Sequence, residues 1–296
     1  MRFDYGVSVY GMHPALRLLR SARGNRATIL MYHEIGEGTT THGHPYYALH
    51  TSPQRFAMQM RILREDGYDV LDLAAVAERL GSGKRLHGKT VVITFDDGLR
   101  SFYTHAFPIL RECRFPATVF LVSDLMAGPR QSLLGHECLT WPEARELQQS
   151  GMVAFGSHTC THPLLAAAPW QAVERELLDS KEAIETALQR SVTAFSYPYA
   201  FPENGAAWHN DLRARLVAAR YTTGVTTMIG RARPGTDPLF LPRLPVNAWD
   251  DARLFRAKLA GAYDWLRSLQ RLRKHLKRGP RTNGRAARST PGESHA

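Results

Sequence analysis

At 296 residues, with 44% hydrophobic and 22% charged side chains, the chain has the composition of a soluble globular protein and the length to bury a full core. Its three cysteines, Cys113, Cys138 and Cys160, are odd in number, show no CxxC spacing and call for no disulfide framework; no apolar run approaches the roughly 18 residues of a membrane-spanning helix. Nine basic residues and no acid fall between 267 and 288, so most of the net charge of +11 sits near the C-terminus and the rest of the chain is nearly balanced.

In chain order, residues 1–26 read as an N-terminal extension. It carries no apolar core of the 7–15 residues that a secretory signal needs, so a cytoplasmic location is expected. Thr28 to Tyr32 reads as a strand ending at His33, followed by a polar, His-rich loop from Thr39 to His50. Ser52-Pro53 starts a helix as N-cap and first turn, running to about Glu65. A short strand at Tyr68–Leu71 and a helix over Asp72–Leu80 come next. The β-branched run Val91 to Phe95 is a buried strand that stops at two carboxylates and a glycine, Asp96-Asp97-Gly98. Adjacent carboxylates repel unless something positive joins them. A helix is expected from Leu99 to Cys113, a strand at Ala117–Val122, a helix opened by Thr140-Trp141-Pro142 and ending at Gln149, and a strand at Met152–Phe155. Then come Ser157-His158-Thr159-Cys160-Thr161-His162-Pro163, a long helix from Pro169 to Gln189, and strands near Thr193–Ser196, Gly224–Thr227 and Leu241–Val246. Strands alternating with helices throughout imply parallel βα units, with residues 27–253 as one body.

From Leu254 to Leu276 apolar residues recur at three- and four-residue steps, so 254–278 reads as a basic amphipathic helix, closed by Gly279-Pro280; 279–296 reads as a polar, disordered tail. Three readings of this basic end stand side by side: a helix packed on the body with a solvated positive face, attraction to an anionic membrane surface, and nucleic-acid binding. The last is the weakest, because no aromatic residues interleave the tail's charges.

One Asp and two His make the three-ligand set of a catalytic zinc site with one position left open. His158 and His162, four apart, face one way if their segment makes a helical turn; two ordinary surface histidines are the alternative. The strings themselves decide. Thr94-Phe95-Asp96-Asp97-Gly98 resembles the TFDDG motif, and Ser157 to Leu165 the SHTxTHPxL motif, of the polysaccharide deacetylases, the NodB-homology or carbohydrate-esterase family 4 enzymes. Ala194 to Tyr199 is similar to their third motif. Looser similarity at Ile29 to His33 and Leu241 to Val246 extends the resemblance over about residues 27–250.

The resemblance implies a distorted (β/α) barrel of about seven strands and a metal-dependent N-deacetylase. Asp97, His158 and His162 would hold Zn²⁺ or another divalent ion, and Asp96 would act as general base. The Tyr199 backbone N–H would steady the oxyanion. His33 would be the acid of a circularly permuted form, since no late His motif is visible. The third motif's arginine is replaced by Ser196, and Arg243 could supply the missing charge; a surface arginine after a proline is the bland alternative. Ala200 replaces a usual glycine and would be strained if that position needs positive φ. Cys160 could be a soft ligand but occupies the variable motif position. Asn247 to Asp251, with Trp249, is the candidate fourth motif. The expected substrate is an N-acetylated sugar of a polysaccharide or lipid-linked glycan precursor, met at the inner face of a membrane. An amidase or deformylase acting on another small acyl amide, and a non-catalytic glycan-binding protein, are the competing classes. The second of these would not need Asp96 beside Asp97.

Overall fold

A computed structural model describes residues 3–18, 25–37, 50–86, 89–201 and 205–267. Seven parallel strands close into a ring: β1 (Ala27–Tyr32), β2 (Thr90–Phe95), β3 (Ala117–Leu121), β4 (Val153–Ser157), β5 (Ala194–Ser196), β6 (Thr223–Ile229) and β7 (Leu241–Pro245). Each strand pairs with its neighbours in sequence, and β1 closes the ring by pairing with both β2 and β7. The expected barrel of about seven strands is therefore the architecture found. Its distortion is local. β5 has three residues and meets β4 at the single pair Phe195↔Ser157. The β6–β7 register shifts between Val225 and Ile229. A two-residue strand, Asp69–Val70, adds to the start of β2 outside the ring.

Alternation along the strands sorts side chains into two cores. Tyr32 and Phe95 point outward and pack with Phe56 and Phe102 at ring-centroid distances of 4.7 to 5.8 Å, beneath helix Pro53–Glu65. Ile29, Val92, Phe120, Val225 and Leu241 form a smaller cluster with Leu73, Val76 and Leu80 of helix Leu73–Gly81, which closes the end where the strands begin. At the other end the buried layer turns polar, with Thr94, Asp96, Ser196, Thr226 and Arg243. The helix starts read from the sequence at Ser52, Asp72 and Thr140 hold: the Ser52 and Asp72 side chains each accept a backbone N–H three residues on, and Thr140 and Glu143 form a capping box. Asp251, which the sequence reading did not mark as a start, caps Ala252–Leu259 in the same way.

Four features depart from the sequence expectation. The helix expected from Leu99 opens instead with a wide π-type turn, Phe102–Ala106, before Phe107–Cys113. Pro108 has no N–H for the preceding turn and its ring crowds it. The helix expected over Leu254–Leu276 is interrupted: it runs over Ala252–Leu259, ends at Gly261 with φ +87°, and residues 266–267 are helical again; this glycine inside the apolar stripe is a left-handed terminator. Residues 268–296, with the rest of the stripe, most of the basic cluster and the tail, lie outside the described residues, as do residues 38–49 of the His-rich loop. The N-terminal segment is helical from Phe3 to Leu18 and docks on the C-terminal end through Tyr5–Asp251, Tyr263–Asp4 and Trp265–Ser8 hydrogen bonds. Helix Ala206–Ala218, between β5 and β6, had no recognised start signal. No helix among the described residues is long and apolar enough to cross a membrane.

Candidate metal centre and active site

All the candidate residues gather at the rim where strands end, the position α/β barrels use for chemistry. β2 delivers Asp96 and Asp97. Asp97 and Gly98 are both left-handed, at φ +69° and +60°. A Cβ on Gly98 would stand 3.0 Å from Leu121 Cδ2 and 3.4 Å from its Cα, so only glycine fits this turn. The turn separates the two carboxylates: Asp96 enters the barrel mouth and Asp97 meets the histidines after β4.

Asp97 Oδ1 lies 3.3 Å from His158 Nε2 and 3.4 Å from His162 Nε2. One ligand atom from each of the three residues falls within 4.8 Å of the others. The segment from His158 to His162 makes no helical turn. The segment is an irregular loop in which Thr159 (φ +72°) and His162 (φ +59°) are left-handed, and the Thr159 hydroxyl accepts the His162 N–H at 3.0 Å. A threonine bridge, not helical periodicity, folds the second imidazole back.

The donor set fits a divalent cation. His158 Nδ1 is 2.8 Å from the Ser196 carbonyl, which can only accept, so Nδ1 carries a proton. In a neutral imidazole the Nε2 lone pair then faces the Asp97 carboxylate, and something positive must lie between them. Without a metal that is a proton: the charges of Asp97 and Asp96 raise the His158 pKa although burial opposes this. Burial alone would raise the Asp97 carboxyl too, but hydrogen bonds from both imidazoles hold it well below the usual range. A divalent ion supplies the same charge. Bonds of about 2.0–2.1 Å in a tetrahedron put ligands roughly 3.3–3.4 Å apart, matching the two separations from Asp97. Cys160 is not part of the cluster; its buried thiol, pushed up to about 11, lies 3.8 Å from the Glu176 carbonyl.

Asp96 sits beside this cluster, bound by Arg243. The guanidinium, fully buried inside the barrel, grips both carboxylate oxygens at 2.8 and 2.6 Å. It also donates to Thr94 Oγ1 and the Thr226 carbonyl, and the Ser196 hydroxyl donates to Asp96 at 3.0 Å. Ser196, which reads in sequence as a loss, is thus a partner of both Arg243 and Asp96. Burial would raise the Asp96 pKa, but the Arg243 charge beside it holds the carboxyl below its ordinary value.

His33, at the end of β1, lies next to Asp96, its Nε2 3.9 Å from Oδ2. Parallel pairing of β1 with β2, Tyr32 against Phe95, makes them neighbours. Burial holds the His33 pKa below the ordinary value, against the pull of the Asp97 and Asp96 charges. Tyr199 stands on the rim, half exposed, its ring 4.6 Å from that of His162. The left-handed residue of this turn is Tyr199 itself (φ +58°), so Ala200 carries no strain. In the candidate fourth motif, Asp250 pairs with buried Lys258 at 2.6 Å, and Trp249 is half exposed on the rim.

The family model for polysaccharide deacetylase matches residues 83–223. The Bacillus subtilis (strain 168) protein YxkH, named for polysaccharide deacetylation, is 27% identical over 230 residues, covering 77% of this chain and 74% of that protein. The poly-beta-1,6-N-acetyl-D-glucosamine N-deacetylase of Escherichia coli K12 is 39% identical over 109 residues, 34% of this chain but 16% of that much longer protein. Among solved structures, the Streptococcus pyogenes deacetylase PplD in complex with acetate superposes with a TM-score of 0.69 at 25% identity, covering 80% of this chain and 99% of PplD. IcaB from Ammonifex degensii, at 23% identity and a TM-score of 0.68, shares the fold over 81% of this chain and 98% of its own.

Proposed function

The chain belongs to the polysaccharide deacetylase family, and on that premise we propose that it is a metal-dependent hydrolase removing N-acetyl groups from an N-acetylated sugar of a polysaccharide or lipid-linked glycan precursor. The observation that carries this reading is a charged base, Asp96 held by Arg243, set against a separate ligand cluster of Asp97, His158 and His162. A binding protein would have no use for the second carboxylate. The residues that would hold the ion are that cluster, and zinc is favoured by its ligand types. When bound, such an ion lowers the pKa of a water and polarises the amide carbonyl.

The chain's own groups supply the remaining steps. Arg243 keeps Asp96 ionised at neutral pH, so its carboxylate takes a proton from the attacking water as oxygen adds to the carbonyl carbon. The Tyr199 backbone N–H is assigned to the developing oxyanion. As the C–N bond breaks, His33 gives a proton to the leaving nitrogen, and acetate and a free amine depart. Mass spectrometry of N-acetyl and N-formyl glycans incubated with the protein, with and without a chelator, tests the assignment. Loss of acetyl that the chelator stops supports it; loss of formyl alone turns it toward a deformylase.

A His33→Ala variant is expected to lose about 10²–10⁴-fold in rate on an N-acetyl sugar. It should lose far less on an aryl acetate, whose leaving group needs no proton. Equal losses on both substrates would remove His33 from the acid role.

We further place the reaction at the inner face of a membrane, with the basic residues after 266 drawn to anionic lipid at about 1 kcal/mol per Lys or Arg. The support is the sequence alone: nine basic residues in 267–288 and the apolar stripe that precedes them. The protein should sediment with anionic but not neutral vesicles at low salt. Removing 279–296 and neutralising Arg271, Arg273, Lys274 and Lys277 should abolish this. Equal sedimentation of both proteins would end the membrane reading.

A further inference from the structure

The loop that carries both histidine ligands has no regular structure to hold it. Left-handed Thr159 and His162 are conformations that L-residues seldom keep without outside contacts. Between the two histidines, the Cys160 and Thr161 backbone N–H groups turn toward helix Trp170–Leu188 and both donate to one atom, Glu176 Oε2, at 2.7 and 3.0 Å. The Thr161 hydroxyl donates to the other oxygen, Oε1, at 2.7 Å. One turn further along the same helix, Ser180 Oγ pairs with Ser157 Oγ at 2.7 Å, and Ser157 Oγ in turn accepts the Thr159 N–H at 3.1 Å. From the other side, Ser123 and Asp124 donate their N–H groups to the Thr159 and Cys160 carbonyls. The loop is clamped at every residue from Thr159 to Thr161, and among the described residues Glu176 is the one charged side chain that hydrogen-bonds to it.

We propose that Glu176 is the positioning residue of the metal centre: its carboxylate, by gathering the N–H groups between the ligands, fixes the separation and aim of His158 and His162 toward Asp97. This rests on the metal-dependent reading above. Among the described residues no hydrogen bond or ion pair joins Glu176 to the three ligand side chains; it acts through the two backbone N–H groups and the Thr161 hydroxyl between them. Its acceptor oxygens do the work, so an amide in its place, which keeps one acceptor for the two N–H groups, serves for the most part where a shorter carboxylate does not.

The test is metal affinity, measured on the full chain stripped of metal and titrated with Zn²⁺ against a chromophoric chelator, with the thermal midpoint of the metal-free protein recorded alongside. Glu176→Ala should bind Zn²⁺ about 10–100-fold more weakly, the loss typical of removing a group that orients a ligand. Glu176→Gln should recover most of the affinity and Glu176→Asp should not, because its carboxylate is retracted by one methylene. Should Glu176→Ala fail to fold, the Gln and Asp pair carries the test, and equal affinities in that pair overturn the proposal. Wild-type protein that binds Zn²⁺ no better than folded Glu176→Ala overturns the role of Glu176 alone. A wild type that binds no ion overturns the metal reading, and the positioning role with it.

Discussion

Asp96→Asn is expected to remove acetyl hydrolysis while leaving the metal centre able to bind its ion. The asparagine keeps the shape of the side chain but cannot take a proton from water, a loss of about 10²–10⁴-fold for a general base. Asp97, His158 and His162 are untouched, so metal content should stay near that of the wild type. The same change carries a stability cost. Arg243 is fully buried and Asp96 nearly so, and breaking such a pair by removing one charge typically costs about 3–5 kcal/mol. Thr94, Ser196 and the Thr226 carbonyl still touch parts of this network, which argues for the lower end. Urea unfolding at pH 7 should therefore accompany the kinetics, and rates should be read only on folded protein. The sign of the pH dependence follows. With its folded pKa depressed, Asp96 contributes stability that is complete above its unfolded value of about 3.9 and fades as the pH falls through the folded one. Asp96→Asn should flatten that part of the acid-unfolding curve. Activity near wild type in Asp96→Asn would dismiss the base assignment.

His158→Ala and His162→Ala are expected to lose metal and hydrolysis together. Each removes one of three ligands, so the drop in Zn²⁺ affinity should exceed the 10–100-fold typical of losing an orienting group behind a ligand. The two variants should differ in stability. His158 is fully enclosed and donates to the Ser196 carbonyl, and leaving a buried acceptor unpaired costs about 1–3 kcal/mol. His162 lies against the half-exposed Tyr199 ring, and truncating it should be milder. Titration with Zn²⁺ and thermal melting of the metal-free proteins check both statements; metal content unchanged in either variant would remove that histidine from the ligand set.

Much of this site was legible because its strings are local. Val91 to Gly98 shows a strand and its terminal acids in eight consecutive residues, and the Ser52, Asp72 and Thr140 signals mark helix starts within one turn of chain. What sequence could not show was pairing across the barrel. Arg243 reads as an arginine between prolines, and only the packing of β7 against β1 and β6 puts it inside with Asp96. Ser196 reads as a missing arginine because its partner is 47 residues away. The four-residue spacing of the histidines left their segment open, since it is equally compatible with a helical turn and with the left-handed loop closed by Thr159. Glu176 carries no local mark separating it from Glu174, Glu182 and Glu185 on the same helix; its place depends on which face meets the loop.

The central claim is that hydrolysis of the N-acetyl bond depends on one ion at Asp97, His158 and His162. The direct measurement is acetate release from a short N-acetylglucosamine oligomer by metal-stripped protein to which Zn²⁺ is returned in measured steps. Release should be near zero without added metal, rise in proportion to it, and level off at about one equivalent per chain, while Asp96→Asn binds the same equivalent and releases no acetate. Full acetate release by the stripped protein, or a plateau unrelated to the amount of metal bound, would contradict the account.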